Sequence, residues 1–278
     1  MTIAITGATG QLGRLAIAAL KARGASPVAL ARSPEKAADL GVPVRPFDYR
    51  SADPAALAGV ETLVLISSND FDDRAGQHAR VIAAAKAAGV GRIVYTSILK
   101  GDASPMKYLA ADHVATEAAL KASGLPATIL RNGWYTENYT GSLGAALAHG
   151  AMIGAAGDAQ LSTAARKDYA EAIAVTALDA AHAGQTYELA GDTAYTMADL
   201  AAEVARQSGK PVAWVPMAEA DYAKALEGFG LPAGFAAALA DSDASAQKGS
   251  LHDSSRTLSR LIGRPTTPFT ETVRAALA

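Results

Sequence analysis

Gly7, Gly10 and Gly13 stand three residues apart behind the apolar run Ile3-Ala4-Ile5, and Leu15, Ile17 and Leu20 follow at helical spacing. A short buried strand, a glycine turn and a helix in that order bring backbone N–H groups and a helix N-terminus to one point. The partial positive charge there suits phosphate, and a dinucleotide pyrophosphate is the ligand the arrangement fits. Gly7 is expected to allow the tight turn, Gly10 to let the backbone approach the pyrophosphate, and Gly13 to let helix pack closely on strand. Thr9, Gln11 and Leu12 are placed to present N–H groups. A turn built for the fold alone is the plainer alternative; the motif's position between a strand and a helix speaks against it.

The end of the second strand bears on which dinucleotide. An acidic residue about 20 residues past the glycines would take a ribose 2′-hydroxyl. This chain has Arg32 there, with the nearest acid, Glu35, already in the next helical segment. A guanidinium suits a 2′-phosphate by charge-assisted, bidentate bonding, so NADP(H) is expected; a solvated surface arginine is the alternative. Further along, Asp48 and Tyr49 are candidates to bracket an adenine. Ser67, Ser68 and Asn69 offer small polar groups to ribose or nicotinamide, and Thr96 and Ser97 sit where a substrate would meet the nicotinamide. Each is equally a residue type favoured in turns.

Proton chemistry is less well marked. Tyr108 is followed four residues on by Asp112 rather than a lysine, and a carboxylate would raise a tyrosine's pKa. A Tyr-x-x-x-Lys relay is therefore absent. His113 is either a polar contact or proton donor at the nicotinamide, or half of an ordinary surface pair with Glu117 at i+4. The run Leu130-Arg131-Asn132-Gly133-Trp134-Tyr135-Thr136-Glu137-Asn138-Tyr139 crowds three aromatics into six residues. Such walls suit a flat ring stacked on a nicotinamide, with Asn132, Trp134 and Tyr135 toward the cofactor and Tyr135 and Asn138 also positioning substrate or donating a proton; packing between lobes is the alternative. No Gly-x-Ser-x-Gly elbow supports a serine triad.

These residues need a scaffold, and the alternation of elements supplies one. Strands are expected at Thr2–Thr6, Pro27–Ala31, Val42–Phe47, Thr62–Ser67, Arg92–Ser97 and Ala127–Arg131. Helical segments fall between them at Gln11–Arg23, Pro34–Leu40, Pro54–Ala58, Asp72–Ala88 and Tyr108–Ser123. That pattern predicts an α/β fold, a Rossmann-like doubly wound parallel sheet with a smaller C-terminal α/β lobe and ligands at the strand C-termini. The expected division is a dinucleotide-binding core over 1–132, with 166–190 returning to it, and a substrate-side lobe from 133–165 and 191–278. Beyond Arg131 the expected elements are a helix over Asp168–Ala181, a strand over Thr186–Leu189, a helix over Thr196–Gln207 and a short strand over Val212–Val215. Half of the 278 residues are hydrophobic, which allows a sizeable core. The net charge of −2 without a long basic run argues against nucleic acid. The chain has no cysteine, which removes disulfide and thiolate chemistry, and the five histidines show no metal spacing. Gly141–Gly157, the most lipid-like stretch, is too rich in glycine for a span and reads as helix and loop. No secretory signal is visible, and a cytoplasmic location is expected.

Several stretches carry a resemblance. Ile5-Thr6-Gly7-Ala8-Thr9-Gly10-Gln11-Leu12-Gly13, Leu65-Ile66-Ser67-Ser68, Ala84-Ala85-Lys86-Ala87-Ala88-Gly89-Val90 and Tyr95-Thr96-Ser97 belong to it. So do Leu130-Arg131-Asn132-Gly133-Trp134-Tyr135, Tyr187-Glu188-Leu189-Ala190-Gly191-Asp192 and Leu258-Ser259-Arg260-Leu261-Ile262-Gly263-Arg264-Pro265-Thr266-Thr267. Over nearly its whole length the chain resembles the type 2 NAD(P)H:quinone oxidoreductases of the NmrA-like atypical short-chain dehydrogenase group. The resemblance implies an NADPH-binding Rossmann core, a small C-terminal lobe and flavin-free, two-electron reduction of a quinone-like acceptor. Triphenylmethane dye reductases share the pattern, as does NmrA itself, a dinucleotide-sensing regulator, which supplies the alternative function. Loss of Tyr-x-x-x-Lys is typical of this branch. A homodimer is compatible with the sequence.

Overall fold

Residues that face apolar surroundings on both sides make the centre of the large sheet, and the computed structural model, which describes residues 1–278, shows the five central strands buried almost throughout and the two edge strands only partly buried. In chain order the elements are β1 (Ile3–Ile5), α1 (Gln11–Ala22), β2 (Val28–Ala31), β3 (Val44–Pro46), β4 (Thr62–Leu65), α2 (Arg74–Ala87), β5 (Arg92–Ile98), α3 (Leu109–Ser123) and β6 (Ala127–Asn132). There follow α4 (Thr136–Thr140), α5 (Leu143–His149), β7 (Ala151–Gly154), α6 (Arg166–Leu178), β8 (Thr186–Leu189), α7 (Met197–Ser208) and β9 (Ala213–Pro216). The chain ends with α8 (Glu219–Gly228), α9 (Ala233–Ala246), α10 (Thr257–Ile262) and α11 (Phe269–Leu277). The sheet order is β3-β2-β1-β4-β5-β6-β8, the doubly wound order with one strand added past β6. Pairing is parallel from β3 through β6, with Ala4 opposite Val28 and Leu63. The order reverses between β1 and β4, so the ligand crevice falls at their C-terminal ends, beside Gly7 and Ser67.

Alternate strand residues serve opposite faces. Ala4, Leu63, Leu65, Ile93 and Tyr95 pack with Val81, Ile82 and Ala85 of α2 and Leu120 of α3. On the other side α6 lies on β4, β5 and β6 and packs against α1, whose Ala16, Ile17 and Leu20 are buried. Full burial of a side chain such as Ile17 or Leu20 contributes roughly 1.5–3 kcal/mol. The expected helices over 34–40 and 54–58 are 3-10 turns, Pro34–Leu40 and Pro54–Leu57. β7 and α5 emerge from the glycine-rich stretch read as helix and loop; β7 pairs with β9, Ala151 opposite Ala213 and Gly154 opposite Pro216. No helix is long and apolar enough to cross a membrane.

The chain divides into two compact units, Met1–Ile98 with Asp112–Asn132 and Arg166–Tyr187, and Leu99–Ala111 with Gly133–Ala165 and Glu188–Ala278. The segment Leu99–Ala111, expected in the dinucleotide-binding core, thus belongs to the second unit. The reason is local bonding. Asp241 of α9 accepts the N–H groups of Lys107 and Tyr108 at 2.7 and 3.4 Å, and Glu188 accepts the Lys100 N–H at 2.7 Å.

Candidate functional site

The glycine turn is built as its spacing requires. Gly7 is left-handed, with φ +61°, and a Cβ there would stand 3.3 Å from the Tyr49 hydroxyl. A Cβ on Gly13 would lie 2.3 Å from the Gly7 carbonyl oxygen and 2.9 Å from Ala8 Cα, so only glycine lets α1 pack this closely on the turn. Gly10 is exposed, donates its N–H to Gly7 at 3.0 Å and precedes α1 without a side-chain cap. The first turn of α1 holds no acidic residue. Its leading N–H groups, on Gln11, Leu12 and Gly13, lie before the first intrahelical bond, Arg14 N–H to Gly10 at 3.0 Å. Leu12 itself is buried, and Gln11 is exposed and accepts a bond from Arg166.

Arg32 is exposed beyond the end of β2 and makes no ion pair or hydrogen bond within the protein. Arg14 is differently employed. Its Nε donates to the Thr9 carbonyl at 3.2 Å, and its terminal nitrogens bond the Lys36 carbonyl and the Asp39 carboxylate at 2.6 Å each. The Arg14 guanidinium draws the Asp39 carboxyl below its ordinary range.

At the third and fourth strand ends most of the candidate residues also make bonds within the protein. Asp48 caps a 3-10 turn by accepting the Arg50 N–H at 2.9 Å. Tyr49 donates to the Ile66 carbonyl at 2.8 Å and lies edge-on to Phe47, with its hydroxyl against the glycine turn. Ser68 is committed as well, donating to Gln77 Oε1 and accepting the Asp70 N–H, while its carbonyl accepts from Arg74 Nε at 2.6 Å. Asn69 is exposed. The Ser67 N–H is tied to Thr96 Oγ1 at 2.8 Å, which fixes the two strand ends against each other.

A polar layer occupies the α2–α3 side of the sheet. His78 Nε2 accepts the Ser68 N–H at 2.9 Å, which leaves the proton on Nδ1, facing Thr116 Oγ1 at 2.9 Å. Burial, reinforced by the nearby Arg74, lowers the His78 pKa to about 3. His113 is 9% exposed, with Nδ1 2.8 Å from the Tyr95 hydroxyl, and burial followed by Arg74 and His78 lowers its pKa to about 3. It is thus a neutral interior residue rather than a surface partner of Glu117. Glu117 instead takes Arg131 bidentately, at 3.0 and 2.7 Å, and accepts the Ser97 hydroxyl at 2.5 Å. Ser97 therefore belongs to a brace between β5, α3 and β6. Arg74 and His78, both passed over in the sequence, carry a signal in hindsight: they stand at i and i+4 in the first turns of the helix that follows the β4 strand end.

Asn132 ends β6. It is 4% exposed, and neither its Oδ1 nor its Nδ2 has a hydrogen-bond partner within the protein. A buried amide left this way is costly unless a ligand completes it. In the second unit, Trp134 and Tyr135 are half-buried and Asn138 is exposed on α4. Their segment is held by backbone bonds with Ala164, by Thr136 Oγ1 to Thr163 Oγ1 at 2.7 Å, and by Thr163 Oγ1 to the Tyr195 hydroxyl at 2.6 Å. Tyr195 stacks on Phe269 with ring centres 4.1 Å apart.

These features fit a dinucleotide with a 2′-phosphate: an uncapped helix start, an exposed turn glycine, a free guanidinium past β2 and an unmatched amide at a strand end. Residues 7–180 match the model of a family described as NAD(P)H-binding. Quinone oxidoreductase 2 of Escherichia coli (strain K12) is 54% identical over 278 residues, spanning 98% of this chain and 97% of that one. The chain belongs to the quinone oxidoreductase 2 family of NAD(P)H-binding proteins. The crystal structure of the E. coli NADPH-dependent quinone oxidoreductase complexed with NADPH has a TM-score of 0.95 at 52% identity, covering 99% of this chain and 100% of that one. Citrobacter sp. triphenylmethane reductase complexed with NADP(H) has a TM-score of 0.90 at 36% identity, with 99% of each chain covered. In this member of the quinone oxidoreductase 2 family Tyr108 is exposed, and Asp112 pairs with Arg74 at 3.4 Å. Burial raises the Asp112 pKa, Arg74 opposing it. No lysine stands in the relay position.

Proposed function

We infer that the protein is an NADPH-dependent, flavin-free reductase that passes two electrons, as hydride, to a quinone or a similarly flat, electron-poor acceptor. The observation that carries this is the full-length 54% identity to quinone oxidoreductase 2, joined to a crevice whose residues fit NADP(H). The N–H groups of Gln11, Leu12 and Gly13 bind the pyrophosphate, helped by the positive end of α1, and Gly10 admits it to the backbone. Arg32 takes the 2′-phosphate. Thr9, Ser67, Asn69 and Thr96 line the cofactor's course along the strand ends. The Asn132 amide, unmatched in the protein, completes its hydrogen bonds on cofactor or acceptor. Asp48, Tyr49, Ser68 and Ser97 act behind them as supports.

When bound, NADPH supplies the hydride. A quinone accepts hydride readily, so the chain's task is positioning more than acid catalysis. Trp134 flanks the nicotinamide, and Tyr135 and Asn138 orient the acceptor. With His113 neutral and bonded to Tyr95, the proton that completes the reduction comes from water or from Tyr135.

NADPH absorbance followed with benzoquinone-type acceptors, alongside enones, ketones and dyes, tests the reading. Rapid oxidation with quinones is expected. Tight NADPH binding with no oxidation by any acceptor would overturn it and leave a dinucleotide-sensing regulator. Arg32→Ala, titrated separately with NADPH and NADH, is expected to remove the preference for NADPH; an unchanged preference refutes the 2′-phosphate assignment.

A further inference from the structure

Arg14 lies one turn into α1, four residues past Gly10, where a helix facing a pyrophosphate needs no further arginine. Its guanidinium reaches three groups at once. Nε holds the Thr9 carbonyl of the glycine turn at 3.2 Å; one terminal nitrogen holds the Lys36 carbonyl at 2.6 Å; the other holds the Asp39 carboxylate at 2.6 Å. Lys36 and Asp39 belong to the 3-10 turn Pro34–Leu40 that begins two residues after Arg32, and the Lys36 N–H closes onto the Ser33 carbonyl at 3.0 Å. One side chain thus ties the turn that meets the pyrophosphate to the turn that follows the 2′-phosphate ligand.

We propose that Arg14 is a specificity-determining positioning residue that sets the preference for NADPH over NADH. It acts through two effects. The three bonds fix the spacing between the glycine turn and the Arg32–Asp39 segment, so that pyrophosphate and 2′-phosphate are received together. The ion pair also neutralises Asp39, an acid that would otherwise lie on the turn beside a dianionic phosphate and repel it. NADH lacks the 2′-phosphate and is indifferent to the second effect. The proposal rests on the assignment of the 2′-phosphate to Arg32. An exposed ion pair alone is worth little. Here the Asp39 carboxylate is 69% exposed and Arg14 37%, so most of the expected effect comes from the two carbonyl anchors and from uncovering the Asp39 charge.

Dissociation constants of NADPH and NADH, measured by quenching of tryptophan fluorescence and by calorimetry, test this without turnover. Arg14→Gln is expected to weaken NADPH by about tenfold, roughly 1.4 kcal/mol, and NADH by about twofold or less. Adding Asp39→Asn to Arg14→Gln is expected to restore part of the lost NADPH affinity, because the uncovered charge is gone. Equal weakening of both cofactors, or no weakening of either, would overturn the proposal. So would a double variant no better than Arg14→Gln combined with an unchanged NADPH-to-NADH ratio. Arg32→Ala run alongside separates the two levels. If Arg32→Ala abolishes the preference and Arg14→Gln leaves it intact, Arg14 is structural only; if Arg32→Ala leaves it intact, the 2′-phosphate assignment has failed and the proposal goes with it.

Discussion

Gly10→Ala and Gly13→Ala place the same methyl group on the same turn and are expected to fail differently. At Gly13 the new Cβ would stand 2.3 Å from the Gly7 oxygen and 2.9 Å from Ala8 Cα, against an ordinary contact of 3.4 Å or more. The obstructing atoms are backbone, so the turn must retreat from α1 by about 1 Å, and overpacking of that kind costs roughly 1–3 kcal/mol or more. The gain in helix propensity from glycine to alanine, about 1 kcal/mol, offsets part of this. A net loss of about 2 kcal/mol lowers Tm by roughly 4–8 °C in a chain of this size. The same displacement moves the N–H groups assigned to the pyrophosphate, so NADPH affinity is expected to fall as well. At Gly10 the backbone (φ −75°, ψ 167°) suits alanine and the nearest contact is 3.3 Å, so the fold is spared apart from about 0.5–1 kcal/mol of lost N-cap preference. With Gly10 exposed and assigned to the pyrophosphate, the methyl group obstructs that approach, and NADPH affinity is expected to fall at least about tenfold. Differential scanning calorimetry and NADPH titration on both variants read the two effects separately. A Gly10→Ala protein that binds NADPH like the parent, or a Gly13→Ala protein that melts like it, refutes the reasoning.

Three further outcomes are expected. Asn132→Leu removes two unmatched buried polar atoms, so the cofactor-free protein gains about 1–2 kcal/mol in denaturant unfolding while NADPH-dependent quinone reduction drops; a destabilised variant with normal turnover would contradict the role given to this amide. His78 and His113 have folded pKa values of about 3 against an ordinary 6.5, so their neutral forms stabilise the fold fully above about pH 6.5, and that stability is lost as pH falls toward 3. Urea unfolding across that range shows the slope, and His78→Gln, which keeps an acceptor for Ser68, is expected to flatten it. Asp243 on α9 goes the other way: burial raises its pKa to about 6 although it accepts the Ala155 and Ala156 N–H groups. Its contribution is present below the ordinary value of 3.8 and lost as pH rises through 6, so Asp243→Asn is expected to raise Tm at pH 8 by roughly 2–5 °C and to change little at pH 4; equal shifts at both pH values would refute this.

The glycine turn and the strand sequence of the sheet were legible because each is a local pattern of spacing or burial run. What escaped was set by partners far along the chain. Glu117 reads as the i+4 neighbour of His113, yet two neighbouring strands offer it Ser97 and Arg131, a hydroxyl and a bidentate cation that hold the carboxylate better than an imidazole. His113 turns inward because Tyr95 supplies a buried partner on the strand beneath. β7 looked like loop because Ala151–Gly154 has little strand preference of its own; its pairing comes from Ala213–Pro216, some sixty residues later. Asp243 sits in an alanine-rich helix where an acid reads as a solvated face, and only the chain turn at Ala155–Ala156 makes it an interior acceptor. Tyr135 and Asn138 remain assigned from the aromatic loop and the family resemblance.

The path of the chain has a consequence for how such proteins change. The backbone passes from one unit to the other five times, after Ile98, Ala111, Asn132, Ala165 and Tyr187. Neither unit is a contiguous piece of gene, so neither can be released by one proteolytic nick, expressed as a simple truncation or exchanged between relatives by one recombination event. Change in either unit must then come by point substitution and loop change within the intact chain.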